Sequence, residues 1–253
     1  MPGRVTDVLA PTVFLVLALA LWEAVVFAFD IPSYLLPPPS AIAITLFTEI
    51  FSLARHTAVT VLEALLGFFL ANVLGFTLAV VFAHSRLIEQ AVMPYAIVLK
   101  TTPVIALAPL LVLWFGIGLV SKIVTAALIC FFPILVSATA GLRSPDREAL
   151  DLFASLTDSK WQVFRLLRLP ASLPYVFSAL KISSSLSVVG AVVGEFVGAN
   201  EGLGYIILVS SYHLETAKMF AAIILLGGCG IIFYWIVSWF ERVAIFWREP
   251  LEA

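Results

Sequence analysis

The chain has 253 residues, 62% of them hydrophobic and 12% charged, with a mean hydropathy of +1.11. A soluble domain holds roughly 45 to 50% apolar residues, so this composition excludes a protein surrounded by water and makes lipid the solvent for most of the chain. The formal net charge of −2 leaves no basic footprint for nucleic acid.

The first apolar run, near residues 8 to 29, would form roughly 33 Å of helix. It is longer than a signal-peptide core and reads as a retained membrane span. The loop at 30 to 56 contains "IPSYLLPPPSAIAITLFTEIFSLARHT". Its prolines exclude continuous helix through 37 to 39, and Ser40 suits the N-cap of a short amphipathic helix reaching about Ala54 at the outer interface. The second span, 57 to 83, carries Glu63 and Asn72, read as packing or interhelical hydrogen-bonding residues. The third, 90 to 113, includes "PYAIVLKTTPVIALAPLL" with Pro94, Pro103 and Pro109. Prolines at this depth predict a bent helix packed inside the bundle. Lys100, Thr101 and Thr102 fall beside the bend, where an ionisable group suggests function; a headgroup contact or a structural pair for Lys100 stays open. The fourth span, 119 to 141, holds Cys130, which with Cys229 reads as a free thiol inside an apolar run.

The stretch 142 to 171 interrupts the spans. Ser144 and Pro145 suit a helix start, Asp146 and Glu148 its first turn, and Leu152, Phe153 and Leu156 its apolar stripe. A second short helix is expected from Thr157 or Asp158, with Trp161, Phe164 and Leu167 on one side and Pro170 near its end. The apolar faces of these two helices need a partner, either the chain's own spans or a groove on a soluble protein. The fifth span, 172 to 198, reads "SLSVVGAVVGEFVGA" towards its end, with Gly190, Gly194 and Gly198 at close-packing spacing. Glu195 beside them should face the bundle interior, a partner or water. The loop at 199 to 218 predicts a short helix or re-entrant turn with Gly202 and Gly204 as turn positions, and the sixth span covers 219 to 241.

Arginine and lysine placement sets the orientation. With the N-terminus cytoplasmic, that side collects Arg4, Arg86, Arg143, Arg147, Lys160, Arg165, Arg168, Arg242 and Arg248, against Arg55, Lys122 and Lys218 outside. Both termini and the 142 to 171 loop are thus expected in the cytoplasm. No GxxxxGK[ST], HExxH or GxSxG motif occurs, and His56, His84 and His213 are widely separated in sequence. The chain reads as a non-enzyme that moves, transmits or scaffolds something.

The passage "WQVFRLLRLPASLP" resembles the second half of the EAA loop of binding-protein-dependent ABC importer permeases. On that alignment the EAA positions fall on Asp151, Leu152 and Phe153, and the motif glycine on Thr157, so the first half departs from the pattern. "LLPPPSAI", "TTPVIALAPLLVLWFGIG", "FFPIL" and "ALKISSSLSVVGAVVGEFVGANEGLGYII" are similar, in that order, to the nitrate, sulfonate and taurine branch. The resemblance implies an all-α polytopic membrane protein of the type I importer permease fold, with six transmembrane helices and one permease domain over 1–253. The 143–171 loop would be its cytoplasmic coupling helix.

The same resemblance implies a second copy of the chain, two ABC ATPase subunits that bind ATP and Mg, and an extracytoplasmic solute-binding protein, all at a bacterial inner membrane. This chain would bind no cofactor or metal of its own. Asp151, Leu152, Phe153, Leu156, Thr157, Lys160, Trp161 and Arg165 would meet the ATPase, Arg168 would face headgroups, and Pro170 and Pro174 would set the return into the fifth span. Lys100, Thr101, Thr102, Ser184, Ser187, Glu195 and Asn200 would line the path or gate, with Lys100 and Glu195 as a candidate pair. The glycine-rich phrase leans towards a heterocyclic or aromatic solute. Sulfonate, taurine, nitrate or bicarbonate are the alternatives within the family, and a secondary transporter or membrane scaffold those outside it.

Overall fold

The computed structural model describes residues 3–246, and Arg248 lies outside them. All regular elements among these residues are helical: α1 (Gly3–Ala28), α2 (Pro39–Thr48), α3 (Ile50–His84), α4 (Arg86–Thr101), α5 (Val104–Phe115), α6 (Leu119–Leu142), α7 (Arg147–Leu156), α8 (Lys160–Val163), a π turn (Phe164–Arg168), α9 (Leu169–Gly198), α10 (Leu203–Tyr212) and α11 (Thr216–Ala244). Five helical runs are long and apolar enough to cross a bilayer; α4 and α5, bent by 100° at their junction, make the sixth if they count as one span.

The centre is a layer of three helices, with α6 between α3 and α9. Ala126 of α6 is clasped from both sides by glycines, Gly67 of α3 and Gly190 of α9. A Cβ on Gly67 would stand 3.0 Å from the Ile123 carbonyl oxygen, and one on Gly194 3.0 Å from the Lys122 Cα. Close backbone approach is how helices gain dispersion contacts where lipid removes most of the hydrophobic drive. One end of this layer is filled by Phe82, Ile134, Leu135, Leu142 and Phe164. The other packs Ile42, Leu53, Leu203, Ile206, Ala221 and Ala222, which joins α2, α3, α10 and α11. Phe14, Phe69, Trp235 and Trp239 are exposed along the outside, where lipid is their solvent.

Several expectations change at the helix ends. The helix after the triple proline starts at Pro39, with Pro38 as its N-cap. Ser40 instead uses its amide and hydroxyl on the Glu23 carboxylate, at 3.0 and 2.6 Å, which ties α2 to α1. That helix stops at Thr48, and residues from Ile50 onward already belong to the second span. The third span does break where proline demands, at Thr102 and Pro103. It is not packed inside the chain's own bundle, however: α4 buries only Ala96, and α5 only Ala108 and Leu111.

The 142 to 171 stretch also caps differently. Asp146, not Ser144, starts α7, its carboxylate accepting from the Ala149 amide at 2.8 Å. Ser159, not Thr157 or Asp158, caps α8. Pro170 ends nothing. The helical run is continuous from Lys160 to Gly198, because proline is tolerated in a first helical turn and the π turn absorbs the geometric change just before it.

Candidate functional site: a polar clamp and an apolar face

The two ends of the three-helix layer carry different chemistry. At the α10 end, Glu195 is only 1% exposed and its carboxylate is fully engaged. Oε1 accepts from the Thr60 hydroxyl at 2.6 Å and Oε2 from the Gly204 amide at 2.5 Å. Thr60 Oγ1 in turn accepts from the Leu203 amide at 2.8 Å, and His56 Nδ1 from the Gly202 amide at 3.0 Å. Three consecutive N–H groups at the start of α10 are therefore held by three side chains. These are the groups a helix cannot satisfy internally, and a carboxylate there also meets the positive end of the helix dipole. Gly202 has φ +109, which only glycine adopts without strain, so its reading as a turn position holds. Gly204 is inside α10, and a Cβ on it would come within 2.7 Å of Glu195 Oε2.

Lys122, counted above among outward charges, is buried in α6 at 3% exposure. Its Nζ donates to the Gly198 carbonyl at 2.6 Å, closing the end of α9. Glu63 is buried beside Glu195, and its Oε2 has no hydrogen-bond partner. The expected Lys100–Glu195 pair does not form. Lys100 is exposed and lies 4.4 Å above the Phe132 ring, whereas Glu195 belongs to the clamp. Sequence reasoning missed Lys122 because it falls four residues into a span, where a charge resembles a loop boundary. It also treated Glu63 apart from Glu195, which is 132 positions away. The remaining path candidates divide. Thr101 and Thr102 bond the Val98 carbonyl beside the α4–α5 break, and Asn200 is exposed. Ser184 and Ser187 are buried and bond carbonyls of their own helix.

At the α7–α8 end the pattern reverses. Leu152, Leu156 and Trp161 are 58%, 71% and 65% exposed, and Asp151, Lys160 and Arg165 are exposed around them; Phe153 is half-buried. Thr157 is extended at φ −158, so no left-handed turn is needed where the family motif has glycine. Its hydroxyl donates to Gln162 Oε1, and its oxygen accepts from the Ser159 amide at 3.1 Å, a side-chain turn that redirects the chain between α7 and α8. Trp161 stacks on Phe164 at 5.6 Å and Phe164 meets His84 at 5.7 Å, so α8 is tied to the end of α3. Arg168 donates to the Ala83 carbonyl at 3.2 Å rather than reaching for a headgroup. Arg143 bonds both oxygens of Glu89 and the Phe82 carbonyl, so the two arginines close the end of α3 together.

A multispan helical bundle with a broken third span and an amphipathic helix pair projecting from one end is built as a transport permease. The family model for binding-protein-dependent transport system inner membrane components matches residues 71–244. The chain belongs to this family, as the permease component of an ABC importer. A probable ABC transporter permease of Haemophilus influenzae is 38% identical over 231 residues, covering 91% of this chain and 94% of that one. A formylaminopyrimidine transport permease of Halalkalibacterium halodurans is 36% identical, covering 97% and 98%. A riboflavin transport permease of Chloroflexus aurantiacus is 36% identical, covering 93% and 89%. A chain of the MetNI methionine ABC transporter, solved in inward-facing conformations, superposes with a TM-score of 0.69 at 19% identity over 78% of this chain and 98% of that one. The all-α importer-permease fold expected from sequence is the fold observed.

Proposed function

We propose that this chain, as one permease domain over 1–253, forms a homodimeric pathway in a bacterial inner membrane for a small heterocyclic solute. Each copy receives one ABC ATPase subunit on α7 and α8, and a solute-binding protein delivers from the α10 side. The termini and the α7–α8 end are cytoplasmic, as the arginine placement supports. ATP and Mg belong to the ATPase subunits, and this chain hydrolyses nothing. The heterocycle is favoured by the formylaminopyrimidine and riboflavin relatives, both at 36% identity.

One observation carries the reading: Leu152 and Leu156 are exposed on α7, which lies outside every span, and Trp161 is exposed in the first turn of the run that continues into α9. Apolar groups exposed to lipid are stable as they stand, whereas these are not in lipid and need a groove. Leu152, Phe153, Leu156 and Trp161 are the anchors, with Asp151, Lys160 and Arg165 on the rim and Thr157 setting the angle between the helices. Closure of the ATPase pair then moves α8 and, through the continuous run to Gly198, α9. Lys100, Thr101, Thr102 and Asn200 line the path. Ser184 and Ser187 act in packing, and Glu195 in the gate.

The test is purification from detergent-solubilised membranes with the co-purifying subunits identified and ATP hydrolysis measured. An ATPase in equal number to this chain is expected. A well-folded chain that purifies alone, without hydrolysis, would overturn the reading.

A further inference from the structure

Lys100 stands in the last turn of α4, just before the break at Thr102 and Pro103. Its ammonium lies 4.4 Å from the centre of the Phe132 ring. Phe132 is 13 residues after Leu119 and 10 before Leu142 in α6, so about 20 Å of helix separates it from one end and about 15 Å from the other. That is the middle of a hydrocarbon core of about 30 Å. A lysine near the end of a span extends its charge to the headgroups, whereas this one is turned over a ring at mid-depth.

A cation held at that depth is costly and calls for an anion. Among the described residues the chain supplies none: Lys181 pairs with Glu241 at 2.7 Å and Lys122 has Glu63 and Glu195 beside it, but no carboxylate pairs with Lys100. A second copy would bring no spare carboxylate either. From Leu9 onward the spanning helices carry Glu23, Glu63, Glu89, Glu195 and Glu241. Glu63 and Glu195 are buried, and the others are held by Ser40, Arg143 and Lys181. The counter-charge must then come from outside the protein, and a lipid phosphate sits at the membrane face, about 15 Å away by the same helix count.

We propose that Lys100 binds an anionic group of the solute, a carboxylate, sulfonate or phosphate, while Phe132 keeps the ammonium at mid-depth to receive it. The proposal rests on the permease reading above and adds a negative charge to the heterocycle named there. Lysine suits the task, being a compact point charge with three donors and no demand for one planar geometry. Thr101 and Thr102 spend their hydroxyl hydrogens on the Val98 carbonyl, so they do not compete for the anion.

The experiment uses the full chain carrying Thr101→Cys and Cys229→Ser, purified with its ATPase and placed in nanodiscs of phosphatidylcholine. Thr101 is exposed next to Lys100, and the remaining Cys130 is buried. Two methanethiosulfonate reagents, one ending in a sulfonate and one in a trimethylammonium, are compared by their rates at position 101, each relative to its rate with a free thiol. The sulfonate is expected to be favoured, and the preference to fall about tenfold or more in Lys100→Gln while persisting in Lys100→Arg. If Lys100→Gln does not fold, Lys100→Met carries the same readout. An unchanged preference in the neutral variant, or no reaction at position 101 with either reagent, overturns the proposal. Nanodiscs containing phosphatidylglycerol separate the two sources of anion: a preference that disappears there would assign Lys100 to a lipid phosphate and overturn the proposal as well. A chain that purifies without an ATPase overturns the permease reading instead, and the reagent preference is still measured on it.

Discussion

The α10 end and the α7–α8 end of this molecule have solved opposite problems. At the α10 end the difficult groups are polar: two buried carboxylates, a buried ammonium and the open N-terminus of a helix, with Glu195, Thr60, His56 and Lys122 satisfying backbone groups inside one chain. At the α7–α8 end the difficult groups are apolar, and one chain leaves them exposed. A region that, apart from Glu63 Oε2, meets its polar groups from within one chain is intrinsic structure and should report on stability. A region that leaves its apolar face unfilled should report on association.

The largest effect expected from this contrast is at Lys122. Lys122→Met keeps most of the volume but removes the cation beside Glu63 and Glu195 and frees the Gly198 carbonyl. Breaking a buried charge set by deleting one partner costs about 3 to 5 kcal/mol. Thermal or denaturant unfolding in detergent should show it as a clear loss of stability. Any folded fraction should still bind the ATPase, and equal loss at both ends would break the distinction between them.

Next in size, Leu152→Asp or Leu156→Asp, at two side chains exposed on α7, should weaken ATPase binding by about 2 kcal/mol or more, the scale of a buried interface anchor. The unfolding midpoint should stay where it was. The measurement is co-purification of the ATPase at rising detergent dilution. A variant that loses stability rather than binding would place these side chains in the chain's own packing.

How much of this was legible beforehand follows from the range of each interaction. The six spans, the break at Pro103 and the amphipathic pair at 142 to 171 depend on local composition and on proline's missing N–H, so they could be read. The clamp could not, because His56, Glu195 and Gly204 share no local pattern; what signalled it was a lone carboxylate beside glycines. Pro170 misled for a physical reason. Proline stops a helix that comes from its N-terminal side only when it sits deep enough to need its N–H, and here the π turn supplies the register change before it. The fate of Thr157 was hidden in Gln162 and Ser159, which make an extended threonine sufficient.

A smaller effect is expected at Arg143, which closes the end of α3. Arg143→Ala removes charge-assisted bonds to Glu89 and to the Phe82 carbonyl, at a cost of about 2 kcal/mol. It lies near the α7–α8 end yet is satisfied within the chain, so it should lower the unfolding midpoint and leave ATPase affinity nearly unchanged. That result would show that the contrast follows satisfaction of groups rather than location.

The smallest effect sharpens the same point from the other end. Arg55 and Glu201 form an ion pair beside the clamp, linking α3 to the turn before α10, but their side chains are 72% and 43% exposed. Water and salt screen such a pair, and exposed pairs contribute only about 0.2 to 1 kcal/mol. Arg55→Ala should therefore shift unfolding barely, and by less at high salt than at low salt. The buried bonds from Thr60 and Glu195, with the half-buried one from His56, then account for holding the base of α10. A loss at Arg55 as large as that at Lys122 would mean the turn before α10 is anchored from its surface, through Glu201, rather than from the clamp.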